Sequence, residues 1–155
     1  MKLLKLLIIV VLMSGAQMLS GQHVGEKAPD IHAVTIDGRD FHLYDIEAKN
    51  TIMLFWSYTC PHCRELIKEL GEFVKEHDDI ELVTVQVVGE LKDVKRIIRK
   101  NKLKKNYNIC DGLRWNSPII QDYDVNMTPW LIILDADKNI VAEPFDYEDV
   151  VVFFD

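Results

Sequence analysis

The sequence predicts an α/β domain with a central mixed β-sheet flanked by helices. An almost continuously apolar run at residues 51–56, bounded by polar residues, is typical of a strand that is covered on both faces. The β-branched run at residues 80–88 indicates a second buried strand. A helix between two such strands makes a parallel βαβ crossover. Apolar side chains do recur at helical spacing between them, at Leu66, Ile67, Leu70, Phe73 and Val74.

Hairpin signals flank this unit on both sides. Asp37-Gly38 suits the positive backbone angles of a tight turn and predicts an N-terminal β-hairpin. A second hairpin is predicted after Thr128-Pro129, with its turn at residues 135–139. The tail at residues 147–154 is apolar enough to dock as a short helix or strand. No internal repeat or low-complexity linker interrupts the chain, so residues 22–155 are expected to form one domain.

The first residues have the composition of a secretory signal peptide. Lys2 and Lys5 precede an apolar stretch at residues 6–13, which small residues follow. We therefore expect a signal peptide at residues 1–21, cleaved near residues 16 to 21. The apolar stretch is well short of the roughly 20 residues that a spanning helix needs, so no stable membrane anchor is expected after cleavage. These features predict a soluble protein that is exported to the periplasm or another extracytoplasmic space.

The charge balance is acidic, with 25 acidic and 18 basic residues and a formal net charge of -7. Nucleic acid is therefore not an expected partner, because its phosphate backbone binds basic surfaces. Seven basic residues and no acidic one nevertheless fall within residues 95–105. This stripe is either a solvated helix face with its following loop or a docking patch for an acidic protein or an anionic membrane surface.

Cys60-Pro61-His62-Cys63 is the motif that carries chemistry. A disulfide closes across two intervening residues when the first cysteine opens a helix and the second lies on its first turn. At a helix N-terminus, unpaired backbone N–H groups and the positive end of the helix dipole favour the thiolate of the leading cysteine. The thiolate is the attacking species in disulfide exchange. Thr59 is expected to cap this helix, and Pro61 suits its first turn.

The third cysteine, Cys110, lies outside this pair. An oxidising compartment lets thiols pair, so an unpaired thiol in an exported protein is notable. Cys110 is either a buried small hydrophobe or a resolving thiol near Cys60. No metal site is expected, because a closed zinc site needs four ligands and no second cysteine pair exists, and no cofactor beyond the redox-active disulfide is expected. The remaining histidines show no ligand spacing and are expected at the surface: His23, His32, His42 and His77.

The order of these parts resembles the thioredoxin-like fold. More narrowly, residues 24–30 (Val-Gly-Glu-Lys-Ala-Pro-Asp), together with Asp37-Gly38 and Phe55-Trp56, look like the exported TlpA/ResA-type thiol-disulfide oxidoreductases. The likeness covers nearly everything after the signal peptide. The segment at residues 89–123 is similar to the insertion in the crossover that distinguishes this group from a minimal thioredoxin. Within it we expect a second helix and then, at residues 107–110, a short strand or extended segment.

The resemblance implies an enzyme that exchanges disulfides with proteins, in which Cys60 attacks and Cys63 resolves the mixed disulfide. It also implies that Pro129 is a cis-proline facing the pair, where it presents the Thr128 backbone to an extended substrate segment. Trp56 matches the family's tryptophan beneath the site or is a core aromatic without a catalytic part. The implied partners are protein thiols or disulfides and a separate redox recycling partner.

Three positions depart from the family pattern. Thr59 stands where many relatives have a tryptophan or another cysteine, and Trp130 stands where a small hydroxyl residue commonly follows the proline. Leu66 occupies the position of a glutamate that is available for proton transfer, and Glu65 lies about 100° around the helix from it. The proton acceptor for Cys63 therefore stays open.

The dipeptide Pro61-His62 bears on the direction of electron flow. A protonated or hydrogen-bonding His62 would stabilise the Cys60 thiolate and hence the reduced form, which makes the disulfide more oxidising. The same dipeptide occurs in the periplasmic oxidant DsbA, whereas the scaffold resembles reductants. We expect a protein that is less reducing than a typical thioredoxin.

Two alternative functions remain open. A thioredoxin-like module with little turnover could bind a partner or hold Cu(I) through the soft thiolates of Cys60 and Cys63, whereas a closed zinc site would need four ligands. A peroxiredoxin-like thiol peroxidase is suggested by the N-terminal resemblance, but Met53 stands where that family's loop has its proline.

Overall fold

A computed structural model of the protein describes residues 23–155. The expected signal peptide at residues 1–21 and its cleavage site lie outside this range. The strands are β1 (His32–Val34), β2 (Asp40–His42), β3 (Asn50–Ser57), β4 (Ile80–Val88), β5 (Tyr107–Ile109), β6 (Trp130–Asp135) and β7 (Ile140–Ala142). The helices are α1 (Pro61–Phe73), α2 (Leu91–Lys100), α3 (Pro118–Asp122) and α4 (Tyr147–Phe154).

The main sheet has five strands in the order β5-β4-β3-β6-β7. β4 pairs in parallel with β3 and β5, whereas β6 pairs antiparallel with β3 and β7. β3 lies at the centre, and all of its residues after Asn50 are buried. This position explains its apolar sequence, because a central strand has neighbours at both edges and a packed layer on each face. The predicted mixed sheet flanked by helices is confirmed.

The predicted N-terminal hairpin forms a small sheet of its own, made of β1 and β2. Gly38 has a φ of +87° in the turn, which is the conformation that the Asp-Gly pair predicted. A bridge between Thr35 and Ile109 joins the hairpin to the edge strand β5. The hairpin is thereby held against one face of the main sheet.

Two apolar clusters lie on opposite faces of the sheet. One cluster joins α1, α2 and α4 to β3 through side chains such as Leu54, Trp56 and Leu66. The other joins the N-terminal hairpin and α3 to β3 through Met53 and Phe55. Successive strand residues point to opposite faces, so one strand supplies both clusters.

Two helix limits refine the sequence-based expectations. The tail, predicted as a helix or a strand, forms α4, whose cap Asp146 accepts a hydrogen bond from the Asp149 backbone. α1 ends at Phe73, and Val74, the last of the apolar residues at helical spacing, is its C-terminal cap. None of the helices within residues 23–155 is long and apolar enough to cross a membrane.

Candidate redox site

Cys60 and Cys63 form a disulfide at the start of α1, with their Cα atoms 5.3 Å apart. Cys60 is the residue that caps the helix, with extended backbone angles, and its Sγ accepts a hydrogen bond from the Cys63 backbone N–H at 3.1 Å. The expectation that Thr59 caps the helix is therefore wrong. Pro61 is the reason, because proline favours the first helical position and makes the residue before it the cap.

The two cysteines differ in exposure. Cys60 is partly exposed, whereas Cys63 is fully buried on the face of α1 that packs against the main sheet. A sulfur at a helix cap meets the backbone N–H groups that have no partner within the helix, and these groups stabilise negative charge. The position of Cys60 thus favours a thiolate that solvent or a second protein reaches first.

The loop before β6 lies beside the Cys60–Cys63 disulfide. The peptide bond between Thr128 and Pro129 is cis, and the Thr128 carbonyl oxygen lies 4.0 Å from Cys60 Sγ. The Thr128 hydroxyl donates a hydrogen bond to Ser57 Oγ at 3.0 Å, which ties this loop to the end of β3. Thr128 and Pro129, predicted from the resemblance, are thus brought beside the disulfide.

Trp56 lies on the face of β3 that α1 covers. Its side chain is fully buried, in the same apolar cluster as Cys63 and Leu66. The indole Nε1 has no hydrogen-bond partner among the described residues. Trp56 therefore contributes to the floor beneath α1 and does not reach the surface that a substrate would touch.

The surroundings of Cys63 are apolar. Leu66 is fully buried, and Glu65, next to it, is exposed. The next carboxyl along the helix, Glu69, is partly buried, and this burial raises its pKa, with Glu65 acting in the same direction. His62 is exposed on the first turn of the helix.

Tyr58, which the sequence pattern did not single out, also belongs to the site. Its carbonyl accepts a hydrogen bond from Arg64 at 3.0 Å, and its hydroxyl is hydrogen-bonded to Arg96. Both guanidinium groups lie over its ring, 5.8 and 5.6 Å from the centroid. The signal was the position of an aromatic residue two places before Cys60, but its arginine partners come from α1 and α2 and are apparent only in the fold.

Cys110 packs against the apolar cluster that contains Cys63 and is not in a disulfide. It is partly buried, and its Sγ donates a hydrogen bond to Gln86 Oε1 at 3.1 Å. Burial raises the pKa of the Cys110 thiol, which disfavours the reactive thiolate. These observations favour a packing role over a resolving one.

A cavity of about 220 Å³ is lined in part by the cis-proline, Pro129. Its walls include Met127, Pro129, Trp130 and Phe145. Met127 and Phe145 are exposed, by 54% and 79%. Trp130, which departs from the family pattern, therefore forms one wall of a mostly apolar groove that Pro129 also lines.

A cluster that could hold a metal ion lies on the N-terminal hairpin. Ligand atoms of Asp30, His32 and His42 all lie within 4.8 Å of one another. His32 is exposed as expected, and the fold brings His32 and His42 together although their positions in the sequence show no ligand spacing. The hairpin register places them opposite each other. A three-residue loop at residues 36–38 sets this register, whereas a two-residue turn at Asp37-Gly38 would pair Ala33 with His42 instead.

Most of the chain matches a known protein family. A family model described as the AhpC/TSA family matches residues 24–143. The chain belongs to the AhpC/TSA family.

This AhpC/TSA family member is similar to curated and solved thioredoxin-like proteins. "Thiol-disulfide oxidoreductase ResA" of Bacillus cereus is 22% identical over 122 residues, which cover 77% of the chain and 68% of the relative. "Thioredoxin-like protein YneN" of Bacillus subtilis (strain 168) is 26% identical over 125 residues, which cover 79% and 71%. A domain of a possible thiol-disulfide isomerase from Cytophaga hutchinsonii ATCC 33406 has a TM-score of 0.73 at 27% identity, covering 90% of the chain and 93% of that structure.

These similarities confirm the thioredoxin-like fold, the TlpA/ResA-type resemblance and the predicted enzyme class. The AhpC/TSA family member is a thioredoxin-like thiol-disulfide oxidoreductase.

Proposed function

We propose that the protein is an exported enzyme that exchanges disulfides with protein substrates through Cys60 and Cys63. The observation that carries this proposal is the Cys60 sulfur, which is partly exposed, caps α1 and lies 4.0 Å from the Thr128 carbonyl before the cis-proline. A sulfur so placed is accessible to a partner's sulfur and is stabilised as a thiolate by the helix N-terminus. The relatives whose names state an activity favour disulfide exchange over peroxide reduction.

The exchange proceeds in two steps. The Cys60 thiolate attacks one sulfur of a substrate disulfide, a mixed disulfide forms, and the other substrate sulfur leaves as a thiolate. Cys63, deprotonated in turn, attacks Cys60 Sγ, which releases the second substrate thiolate and leaves the Cys60–Cys63 disulfide. Two electrons pass from the protein to the substrate, and the reverse sequence oxidises a dithiol. A separate redox partner regenerates the starting form of the enzyme.

The groove beside Pro129 suits an extended substrate segment. The Thr128 backbone supplies hydrogen-bonding groups next to Cys60, and the apolar walls formed by Met127, Trp130 and Phe145 would receive a hydrophobic side chain of that segment. Contacts with the peptide backbone and one apolar side chain would allow many different protein substrates to bind. Very small disulfides would bind more weakly, because they do not fill the apolar pocket.

Insulin reduction with dithiothreitol as the electron source tests the enzyme and its residues. Wild type accelerates the reaction, Cys60→Ser loses the acceleration, and the matched control Cys110→Ser keeps it. Retention of full turnover by Cys60→Ser would refute the proposal.

The direction of electron flow is proposed from Cys60 and His62. Helix-cap hydrogen bonding and a neighbouring imidazole both stabilise the reduced form, so the protein is less reducing than thioredoxin, whose potential is about -270 mV. Equilibration of the Cys60–Cys63 pair with glutathione measures the potential. A value as low as that of thioredoxin would contradict this direction.

Export is proposed from the signal-like residues 1–21. Mass spectrometry of the protein recovered from an extracytoplasmic fraction tests it, with the mature N-terminus expected between residues 17 and 22, as set by cleavage near residues 16 to 21. Recovery of the uncleaved chain in the cytoplasm would overturn this part of the proposal without affecting the disulfide chemistry.

A further inference from the structure

We propose that Asp30, His32 and His42 form a binding site for Zn²⁺ or a closely related divalent transition-metal ion on the N-terminal hairpin. The site is built by β1, β2 and the residues before β1, which are different elements from those that carry the redox pair. It is therefore independent of the proposed disulfide exchange.

The three side chains converge on one point. Asp30 Oδ2 lies 2.5 Å from His42 Nε2 and 3.2 Å from His32 Nε2, and the candidate ligand atoms all lie within 4.8 Å of one another. Two ligand atoms bound to one tetrahedral zinc ion are about 3.4 Å apart, given metal–ligand distances of about 2.1 Å. A bound ion would replace the contacts of Asp30 with His32 and His42, and the two stacked rings would turn so that both Nε2 atoms face the ion.

The hairpin produces this convergence. In the antiparallel register His32 pairs directly with His42, so both side chains point to the same face. Their rings are stacked, with centroids 3.9 Å apart and planes 25° apart. Asp30 precedes His32 by two residues, and its Oδ2 contacts Nε2 of both imidazoles.

Two of the three candidate ligands are oriented through their other polar atom. His42 Nδ1 lies 3.1 Å from Asp45 Oδ1, and the Ile31 backbone N–H donates to Asp30 Oδ1 at 2.9 Å. With its Nδ1–H directed at Asp45, His42 would bind an ion through Nε2, and the ion would replace the proton that now joins Nε2 to Asp30 Oδ2. This carboxylate–histidine–metal arrangement is the one that orients ligands around bound zinc.

The donor set selects the class of ion. Two imidazole nitrogens and one carboxylate oxygen suit Zn²⁺, Co²⁺, Ni²⁺ or Cu²⁺, whereas Ca²⁺ and Mg²⁺ prefer oxygen ligands alone. His32 is exposed, so water would supply the fourth ligand of a tetrahedral ion. Such a site would clamp the hairpin to the segment before it.

Calorimetric titration with Zn²⁺ tests the proposal. The protein is used in its oxidised form, free of any histidine tag and with Cys110→Ser, so that thiolates do not compete for the ion. One ion is expected per chain, His32→Ala and His42→Ala are expected to weaken binding at least tenfold, and the matched control His77→Ala is expected to bind as wild type does. Asp45→Asn, which removes only the orienting carboxylate, is expected to weaken binding about tenfold at unchanged stoichiometry.

Histidine resonances of the wild-type protein provide a second measurement that requires no folded variant. Zn²⁺ is expected to shift the side-chain signals of His32 and His42 and to leave those of His77 unchanged. The absence of saturable binding, equal binding by His42→Ala, or shifts confined to other histidines would overturn the proposal and show a hydrogen-bonded cluster only.

Discussion

Cys60 combines two properties at the scale of one residue. It caps α1, and it keeps part of its surface open beside the cis-proline loop. Cys63 has neither property, because it lies within the first turn of α1 and is fully buried in the apolar cluster that contains Leu66 and Trp56. One turn of helix thus separates a sulfur that is suited to attack a substrate disulfide from one that is suited to resolve the resulting mixed disulfide.

His62 provides a test of how this environment sets the redox potential. Under the proposed direction of electron flow, His62→Ala removes stabilisation of the Cys60 thiolate, so the reduced form loses stability and the potential falls. The expected shift is on the order of 30 mV, which corresponds to about 1.4 kcal/mol for two electrons. Equilibration with glutathione measures it, and His77→Ala is the control. An unchanged or higher potential would rule out this role for His62.

Gly89 provides a stability test beside the site. Its φ is +147°, and a Cβ atom there would lie 2.7 Å from Tyr58 Cβ and 2.9 Å from Gln86 Nε2. Backbone strain and the clash together are expected to lower the free energy of unfolding of Gly89→Ala by roughly 3 kcal/mol.

Gly38→Ala is the matched control for Gly89→Ala in urea unfolding. Gly38 also has a positive φ, but a Cβ there meets nothing within 4 Å. Backbone strain alone is therefore expected to lower the free energy of unfolding of Gly38→Ala by only roughly 1 to 2 kcal/mol. Equal losses in the two variants would show that the close approach of Gly89 to Tyr58 has no energetic consequence.

At the scale of elements, His23 fastens the first described residues to the end of β7. Its Nδ1 lies 2.9 Å from Glu143 Oε1, and both side chains are largely buried. The hydrogen bond with Glu143 raises the pKa of His23 above its ordinary 6.5; burial acts against this, and Asp124 and Glu26 act with it. The folded state therefore binds this proton more tightly than the unfolded state.

This linkage predicts how the fastening depends on pH. Its stabilising contribution is fully present below about pH 6.5 and is lost as the pH rises through the raised pKa. The difference in the free energy of unfolding between wild type and His23→Gln should be largest in mild acid and should shrink toward pH 8. Glu143→Gln should show the same trend. A difference that does not change with pH would disprove the linkage.

The loop before β6 and the segment after β7 together form the apolar groove. Phe145→Ser is expected to raise the KM for an unfolded protein substrate by roughly threefold to tenfold, because apolar contact with the substrate is lost. Its turnover with a small disulfide, which does not fill the groove, should stay unchanged. Val152→Ser is the control, since Val152 is 75% exposed on α4 away from the groove walls. Equal KM values for the two variants would argue against substrate binding in the groove.

At the scale of the whole molecule, the sheet and the redox pair could be predicted because their signals are local. The apolar residues 51–56, the helical spacing after Cys60 and the turn at Asp37-Gly38 each report on their own segment. The position of Thr128-Pro129 beside Cys60 came from resemblance, since nothing local joins two segments 68 residues apart.

Other features depend on tertiary contacts that a single sequence does not display. The Arg64 and Arg96 groups over Tyr58 come from two different helices, and the Asp30 cluster requires strand register. The Thr59 cap was a wrong prediction for a local reason: capping propensity favoured threonine, but the backbone preference set by Pro61 prevailed.

The central claim is that Cys60 attacks and Cys63 resolves. The most direct test is to react reduced Cys63→Ser with an oxidised peptide and to map the trapped mixed disulfide by mass spectrometry. The adduct is expected on Cys60, with Cys110 unmodified because its thiol is partly buried and hydrogen-bonded to Gln86. An adduct on Cys110, or none on Cys60, would contradict the account.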